Sequence, residues 1–124
     1  MYFNRKCKIT FVSHGATIYS EVGRFSDSEN YPPLSEGGME EVVALTSYLK
    51  ARGVKNDVIY SSPSVRTTQS AEIVSKLFKT EYEVVEDLKP RICGEWNGLT
   101  IKQVLEKYPD GFSKILSYGN SLNI

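Results

Sequence analysis

Apolar residues along the chain fall into two patterns, short continuous runs and longer stretches with helical spacing. Three short runs rich in apolar and β-branched residues, at 8–13, 58–60 and 83–86, predict strands, the first of them buried on both faces. After Ser35 and after Pro63 the apolar residues recur every three or four positions, which predicts two helices. Because strands that alternate with helices are typical of parallel sheets, the pattern predicts an α/β fold with a mostly parallel sheet flanked by helices.

Residues with strong positional preferences mark the ends of these two helices. Ser35 is placed to cap the first helix, and Gly53 suits the left-handed position just past its end. For the second helix Ser62 is the expected cap. Pro63 would then be the first helical residue, where its missing N–H costs nothing.

Two further segments complete the order of elements. About twenty mostly polar residues at 14–33 separate the first strand from the first helix, and a loop this long inside a compact domain is usually functional. A capping box of Thr100 and Gln103 opens a short helix that Pro109 closes, and residues 112–116 predict one or two more helical turns. No linker divides the chain, so residues 1–124 are interpreted as a single domain.

Composition and charge narrow the function classes. The chain has 124 residues, and fifteen basic and fifteen acidic side chains cancel to zero net charge. Zero net charge disfavours nucleic acid as a partner, and no apolar run approaches the ~20 residues of a membrane helix. Two cysteines, Cys7 and Cys93, and no visible secretory signal predict a reduced, cytoplasmic protein. A single histidine, His14, excludes multi-histidine metal sites, so no metal is expected.

The residues that follow two predicted strands suggest chemistry. Ligands of parallel sheets bind beyond the carboxyl ends of the strands, and His14 and Gly15 follow the first strand there. Arg66 lies in the first turn of the helix after the second strand, where free N–H groups and the helix dipole favour an anion. A planar guanidinium binds phosphate through two parallel hydrogen bonds. An imidazole beside such an anion site would suit phosphoryl transfer.

Six short motifs follow one another in a fixed order along nearly the whole chain. They are FVSHGAT at 11–17, GR at 23–24, PLSEGG at 33–38, YSSPSVRTTQSAE at 60–72, GEWNGLT at 94–100 and YP at 108–109. This ordered set resembles the histidine phosphatase superfamily, the phosphoglycerate-mutase-like proteins. The resemblance implies that family's fold, of which this chain would hold the N-terminal half. The domain is therefore expected to be incomplete, either truncated or evolved as a short form.

The resemblance also implies a mechanism and a set of site residues. His14 matches the family's phospho-accepting nucleophile, and Arg66 matches the arginine that holds the transferring phosphoryl group. Further phosphate contacts would come from residues near them in sequence or in the long loop: Gly15, Ser13, Ser20 and Arg24. The implied substrate is a small phosphorylated molecule, and no metal or other cofactor is implied.

Four departures from the family pattern weigh against full activity. Ser13 stands where the family has an arginine, Pro90 where it often has a proton-donating carboxylate, and Asn97 where a glutamate is common. The family's second histidine would lie beyond residue 124, and His14 is the chain's single histidine. Three carboxylates remain as substitute acids, which the sequence does not rank: Asp27, Glu36 and Glu95.

Three hypotheses therefore remain open. The first is a phosphate-monoester phosphatase, or a phosphoglycerate-mutase-like phosphotransferase, acting through a phosphohistidine at His14. The second is a catalytically impaired phosphate-binding or protein-interaction module, favoured by Ser13, Pro90 and the missing histidine. The third is an incomplete chain that needs a partner subunit or its own removed C-terminus. Without the strands and helices of a full domain, apolar surface should stay uncovered, so a homo-oligomer or a partner covering the missing half is expected.

Overall fold

The computed structural model describes residues 6–110 of the chain. Four helices and two strands lie in this range: α1 (Ile18–Glu21), α2 (Glu36–Ala51), β1 (Ile59–Ser61), α3 (Val65–Phe78), β2 (Tyr82–Val84) and α4 (Ile101–Lys107). Two 3₁₀ turns, Glu86–Leu88 and Gly94–Trp96, lie between β2 and α4. None of the helices in residues 6–110 has the length and hydropathy needed to cross a bilayer.

The two strands form a parallel pair joined by α3. Ile59 pairs with Tyr82 and Ser61 with Val84, and α3 packs against both strands. Helix α2 in turn packs against α3. The α/β class and the parallel pairing predicted from the sequence are confirmed. The strands lie within one or two residues of their predicted positions.

The first predicted strand is wrong. Residues 8–13 form no strand, and their apolar side chains face solvent, with Ile9 69% and Phe11 90% exposed. An apolar run becomes a buried strand only where neighbouring chain supplies both a hydrogen-bonded ladder and packing on its faces. In residues 6–110 the ladder consists of β1 and β2 alone, so this run has neither.

The residues predicted to cap the ends of α2 and α4 are confirmed. The hydroxyl of Ser35 accepts a hydrogen bond from the Gly38 N–H at 3.0 Å at the start of α2, and Gly53 has a φ of +79° just past its end. Thr100 and Gln103 form the predicted capping box of α4. The helical turns predicted for residues 112–116 lie outside the described residues.

Helix α3 begins two residues later than its sequence pattern indicates. Ser64, and not Ser62, is the residue before the first helical position, so Pro63 lies outside the helix. The Ser62 hydroxyl lies 2.6 Å from the Thr67 hydroxyl in the first turn of α3, a side-chain contact in place of a backbone cap. The carbonyl of Glu29 accepts the N–H of Val65 at 2.6 Å, so a distant loop supplies the cap.

The chain after His14 crosses α2 at two glycines. A Cβ atom built on Gly15 would meet the carbonyl oxygen of Gly38, and one built on Gly38 would meet the carbonyl oxygen of Ala16. Ser35 strengthens the crossing because its N–H donates to the Ala16 carbonyl at 2.9 Å. Backbone thus lies directly on backbone, and this crossing fixes His14 relative to α2.

Replacing Gly38 with alanine should destabilise the fold. The new methyl group would meet backbone that cannot rotate away, and such overpacking typically costs about 1–3 kcal/mol. Gly37, one residue earlier in the same helical turn, has no heavy atom closer than 3.9 Å to its built Cβ. Gly37→Ala should therefore be neutral or stabilise the helix by roughly 0.5–1 kcal/mol. Urea denaturation followed by circular dichroism measures both changes, and equal stability of the two variants would contradict the close crossing.

Candidate functional site

A cavity of about 250 Å³ lies where the loop after residue 13 meets the start of α3. Its lining residues are His14, Thr17, Tyr19, Ser20, Arg24, Ser26, Ser62, Ser64, Arg66, Thr67, Leu88 and Pro90. The cavity thus brings together four of the six residues that the sequence assigns to phosphate chemistry, namely His14, Ser20, Arg24 and Arg66. The other two, Ser13 and Gly15, are not among the lining residues: Ser13 is exposed and Gly15 is buried.

The hydrogen bonding of His14 leaves one ring nitrogen available. Its Nδ1 lies 2.7 Å from the carbonyl oxygen of Gly15. A carbonyl can only accept, so Nδ1 carries the proton in the neutral ring and donates it to this bond. The lone pair of the neutral imidazole is then on Nε2, which is the nitrogen free to act as a nucleophile or base.

Arg66 brings a buried positive charge to the same cavity. Only 4% of the residue is exposed, and its Nη1 donates to the carbonyl of Ser28 at 2.8 Å. Burial lowers the pKa of Arg66, an effect that the negative charge of Asp27 opposes. An arginine remains protonated in proteins, so the cavity contains a fixed cation, and among residues 6–110 only the Ser28 carbonyl accepts one of its guanidinium N–H groups.

One hydroxyl connects the backbone of the His14 loop to the backbone of Arg66. Ser70, buried one turn further along α3, accepts the N–H of Gly15 at 3.1 Å and donates to the carbonyl of Arg66 at 2.8 Å. The Gly15 N–H, expected from the sequence to face a phosphate, is therefore used to hold the loop to α3.

Three residues at the start of α3 also line the cavity with hydroxyl groups, and none of them is among the site residues predicted from the sequence. Thr67 Oγ1 lies 2.6 Å from Ser62 Oγ and 2.8 Å from Ser64 Oγ. Hydroxyls can donate or accept, and beside a helix N-terminus they suit an anion. The serines and threonines on both sides of Arg66, within residues 61–68, were the available signal.

Ser20 and Arg24 also line the cavity. Ser20 belongs to the capping box of α1, where its hydroxyl accepts the N–H of Thr17 at 2.8 Å. Arg24 donates from Nη1 to the carbonyl of Gly98 at 2.7 Å and to Oε1 of Gln103 at 3.1 Å. These bonds hold a second guanidinium at the cavity and join the long loop to α4.

No aspartate or glutamate within residues 6–110 lines the cavity, whereas Pro90 does. The three carboxylates considered as substitute acids are placed elsewhere. Asp27 accepts backbone N–H groups, Glu36 is exposed at the start of α2, and Glu95 accepts the hydroxyl of Tyr108 at 2.6 Å, a bond that raises the pKa of Tyr108. Within residues 6–110 the cavity therefore offers a leaving group no carboxylic acid.

Metal ligands are sparse in the described region. Across residues 6–110, no group of three or more His, Cys, Asp or Glu side chains is placed to hold a metal ion. Cys7 and Cys93 are both free thiols. Burial and the negative charge of Asp27 raise the pKa of Cys93, so this thiol stays neutral near Arg66.

Comparison with known families identifies the chain. The model of the histidine phosphatase superfamily (branch 1) matches residues 9–122. The chain belongs to the histidine phosphatase superfamily. The family expected from the six ordered motifs is therefore confirmed, and the cavity of His14 and Arg66 lies within the matched region.

Curated relatives and solved structures agree with this membership. The chain is 31% identical over 107 residues to phosphoserine phosphatase 1 of Hydrogenobacter thermophilus, covering 86% of this chain and 49% of that protein. It is 32% identical over 118 residues to a metal-independent phosphoserine phosphatase of Arabidopsis thaliana, covering 94% and 49%. A mycobacterial glucosyl-3-phosphoglycerate phosphatase complexed with VO₃ superposes with a TM-score of 0.73 at 27% identity, covering 82% and 47%. The chain spans about half the length of these relatives.

The tautomer of His14 is directly testable. At a pH where the imidazole is neutral, the bond to the Gly15 carbonyl should hold the proton on Nδ1, whereas unconstrained histidine favours the Nε2 proton. Two-bond ¹H–¹⁵N correlation spectra distinguish the tautomers, and His14 is the chain's single histidine, so the signal needs no assignment. A ring protonated mainly on Nε2 would contradict the hydrogen bond from Nδ1 to the Gly15 carbonyl.

Proposed function

We propose that this protein is a phosphate-monoester phosphatase that transfers the phosphoryl group through a phosphohistidine at His14. The observation that carries the proposal is the cavity shared by a histidine with its Nε2 lone pair available and a buried arginine with a fixed positive charge. Membership of the histidine phosphatase superfamily supports it.

The reaction would proceed in two displacements at phosphorus. Arg66 and the hydroxyls of Ser64 and Thr67 hold the phosphoryl oxygens, and Nε2 of His14 attacks phosphorus in line with the ester oxygen. The N–P bond forms as the P–O ester bond breaks, and the alcohol leaves with a proton taken from solvent or substrate. Water then attacks the phosphohistidine, releasing phosphate and returning the ring to its neutral form. Throughout, the Nδ1 bond to Gly15 fixes the orientation of the ring.

The substrate we propose is a small phosphorylated metabolite. Two relatives are named for phosphoserine and one solved relative for glucosyl-3-phosphoglycerate, all small molecules with a phosphate ester. The second cation of the cavity, Arg24, suits a substrate with a further negative group. A phosphotransferase of the phosphoglycerate-mutase type would use the same first displacement, with a second substrate hydroxyl in place of water.

A second candidate function is a catalytically impaired phosphate-binding or protein-interaction module. It is favoured by two features of the cavity, Pro90 in its wall and the absence of any lining carboxylate among the described residues. Ser13 adds no cation beside His14, because its hydroxyl is uncharged. Such a module would bind phosphate without turning over its esters.

Slow turnover that depends on His14 is the expected result for this chain. Hydrolysis of p-nitrophenyl phosphate should be weak and should vanish in His14→Ala. Arg66→Met keeps most of the buried volume but loses the charged hydrogen bonds, which are worth about 1.5–3 kcal/mol each, so activity should fall roughly ten- to hundredfold. Arg52→Ala is the matched control, because Arg52 lies beyond the end of α2 and does not line the cavity.

Ser13→Arg separates the two candidate functions. A cation added beside His14 should raise turnover if the cavity is a phosphatase site, and should raise phosphate affinity alone if it is a binding module. Phosphoprotein formation, seen as a mass increase that is lost in His14→Ala, follows the first displacement directly. Turnover that survives His14→Ala would overturn the phosphohistidine mechanism.

The exposed apolar surface supports a proposal about assembly. Ile9, Phe11 and Tyr60 are each more than half exposed, and the chain spans about half of its relatives. We propose that further polypeptide covers this surface, either a second copy of the chain or a partner. No segment within residues 6–110 covers these side chains.

Self-association of the isolated chain is therefore expected at high protein concentration. Burial of exposed apolar side chains lowers the free energy by about 25 cal/mol for each Å² removed from water. Light scattering measures the mass, and Phe11→Ser, which replaces the most exposed large apolar side chain of residues 6–110, should shift the chain towards monomer. A monodisperse monomer with a sharp cooperative melt would contradict the proposal.

A further inference from the structure

Asp27 occupies an anion-binding turn of the chain's own backbone. Cys93 is right-handed helical and Gly94 has a φ of +56°, so their successive N–H groups point to one side, an arrangement that binds anions. Oδ2 of Asp27 accepts both N–H groups, that of Gly94 at 3.0 Å. The turn, 66 residues away in sequence, thus holds the Asp27 carboxylate.

The residues after Asp27 hold the start of α3. The Ser28 carbonyl accepts Nη1 of Arg66 at 2.8 Å, and the Glu29 carbonyl accepts the N–H of Val65 at 2.6 Å. Neither carbonyl belongs to a helix or strand, so their positions depend on how the loop itself is fixed.

On the N-terminal side of Asp27, backbone hydrogen bonds connect the long loop to residues 98–99. The Phe25 N–H donates to the Leu99 carbonyl at 2.9 Å, and the Gly98 N–H donates to the Phe25 carbonyl at 2.8 Å. The N–H of Asp27 donates to Oδ1 of Asn97 at 3.1 Å. Along the chain, Asp27 is the last of these bonded residues before the two carbonyls that accept hydrogen bonds from Val65 and Arg66.

We infer that Asp27 is a positioning residue for Arg66: seated in the Cys93–Gly94 turn, it fixes the 28–29 carbonyls and through them the guanidinium that binds phosphate. The inference rests on the proposed function only where it assigns phosphate binding to Arg66. Asp27 is not itself a catalytic residue, because its carboxylate does not line the cavity and is bound by two N–H groups.

Because Asp27 is negatively charged, the direction in which its removal changes phosphate affinity distinguishes a positioning role from a purely electrostatic one. The carboxylate is close enough to Arg66 to oppose the lowering of the Arg66 pKa, so it is also a negative charge near the site of an anion. If Asp27 were only a nearby charge, its removal would strengthen phosphate binding. If Asp27 is a positioning residue, its removal should weaken phosphate binding, because an arginine that is no longer held in place loses its directed hydrogen bonds.

The test measures inorganic phosphate affinity of the full chain by NMR titration. Asp27→Ala should raise the dissociation constant by roughly tenfold or more, the loss expected for one misplaced charged hydrogen bond. Asp27→Asn, which keeps an oxygen acceptor for the turn, should recover part of the affinity. Asp57→Asn is the matched control, because Asp57 is exposed and lies far from the cavity lining, and it should leave the affinity unchanged.

A second measurement does not depend on phosphate. In Asp27→Ala the amide exchange of Val65 should accelerate and the side-chain Nε–H signal of Arg66 should broaden or shift, with the melting transition still cooperative. Unchanged Val65 exchange and Arg66 signal, or unchanged or tighter phosphate binding, would overturn the inference. If the wild-type chain binds no phosphate, the proposed function fails, and the exchange data alone decide the role of Asp27.

Discussion

The burial of one positive charge organises the loops around the cavity. Arg66 is almost completely enclosed, and an enclosed charge is strongly destabilising unless hydrogen bonds and opposite charge compensate it. The carbonyl of Ser28 and the negative charge of Asp27 supply that compensation. They can do so only if the long loop lies across the start of α3. The compensation of the buried guanidinium charge therefore determines the path of this loop. The cavity forms between the loop and the start of α3.

Hydrogen bonds, more than apolar packing, define this part of the chain. Few large apolar side chains are fully enclosed in the described region, Val42 and Val104 being the largest, whereas Thr17, Thr46 and Ser64 are buried beside them. Every buried side-chain nitrogen or oxygen within residues 6–110 has a hydrogen-bond partner. Such networks are directional, so they fix the geometry of a site closely even where the hydrophobic core is small.

Features set by neighbours in sequence were predictable, and features set by distant contacts were not. The caps at Ser35 and Thr100 depend on residues three positions away, and the sequence places both correctly. The start of α3 depends on a carbonyl from the long loop, and the predicted strand at 8–13 depends on partners that residues 6–110 do not supply. Ordered motifs led to the histidine and arginine of the site, whereas nothing local marks the turn that holds Asp27.

The hydroxyl of Ser70 has a consequence for motion. It is bonded both to the backbone beside His14 and to the backbone of Arg66, so thermal displacements of the loop and of α3 are correlated. A fluctuation that moves one partner carries the other with it, and the separation of the imidazole and the guanidinium varies less than either position does. The two groups thus behave as one mechanical unit, whose geometry persists when the surrounding chain fluctuates.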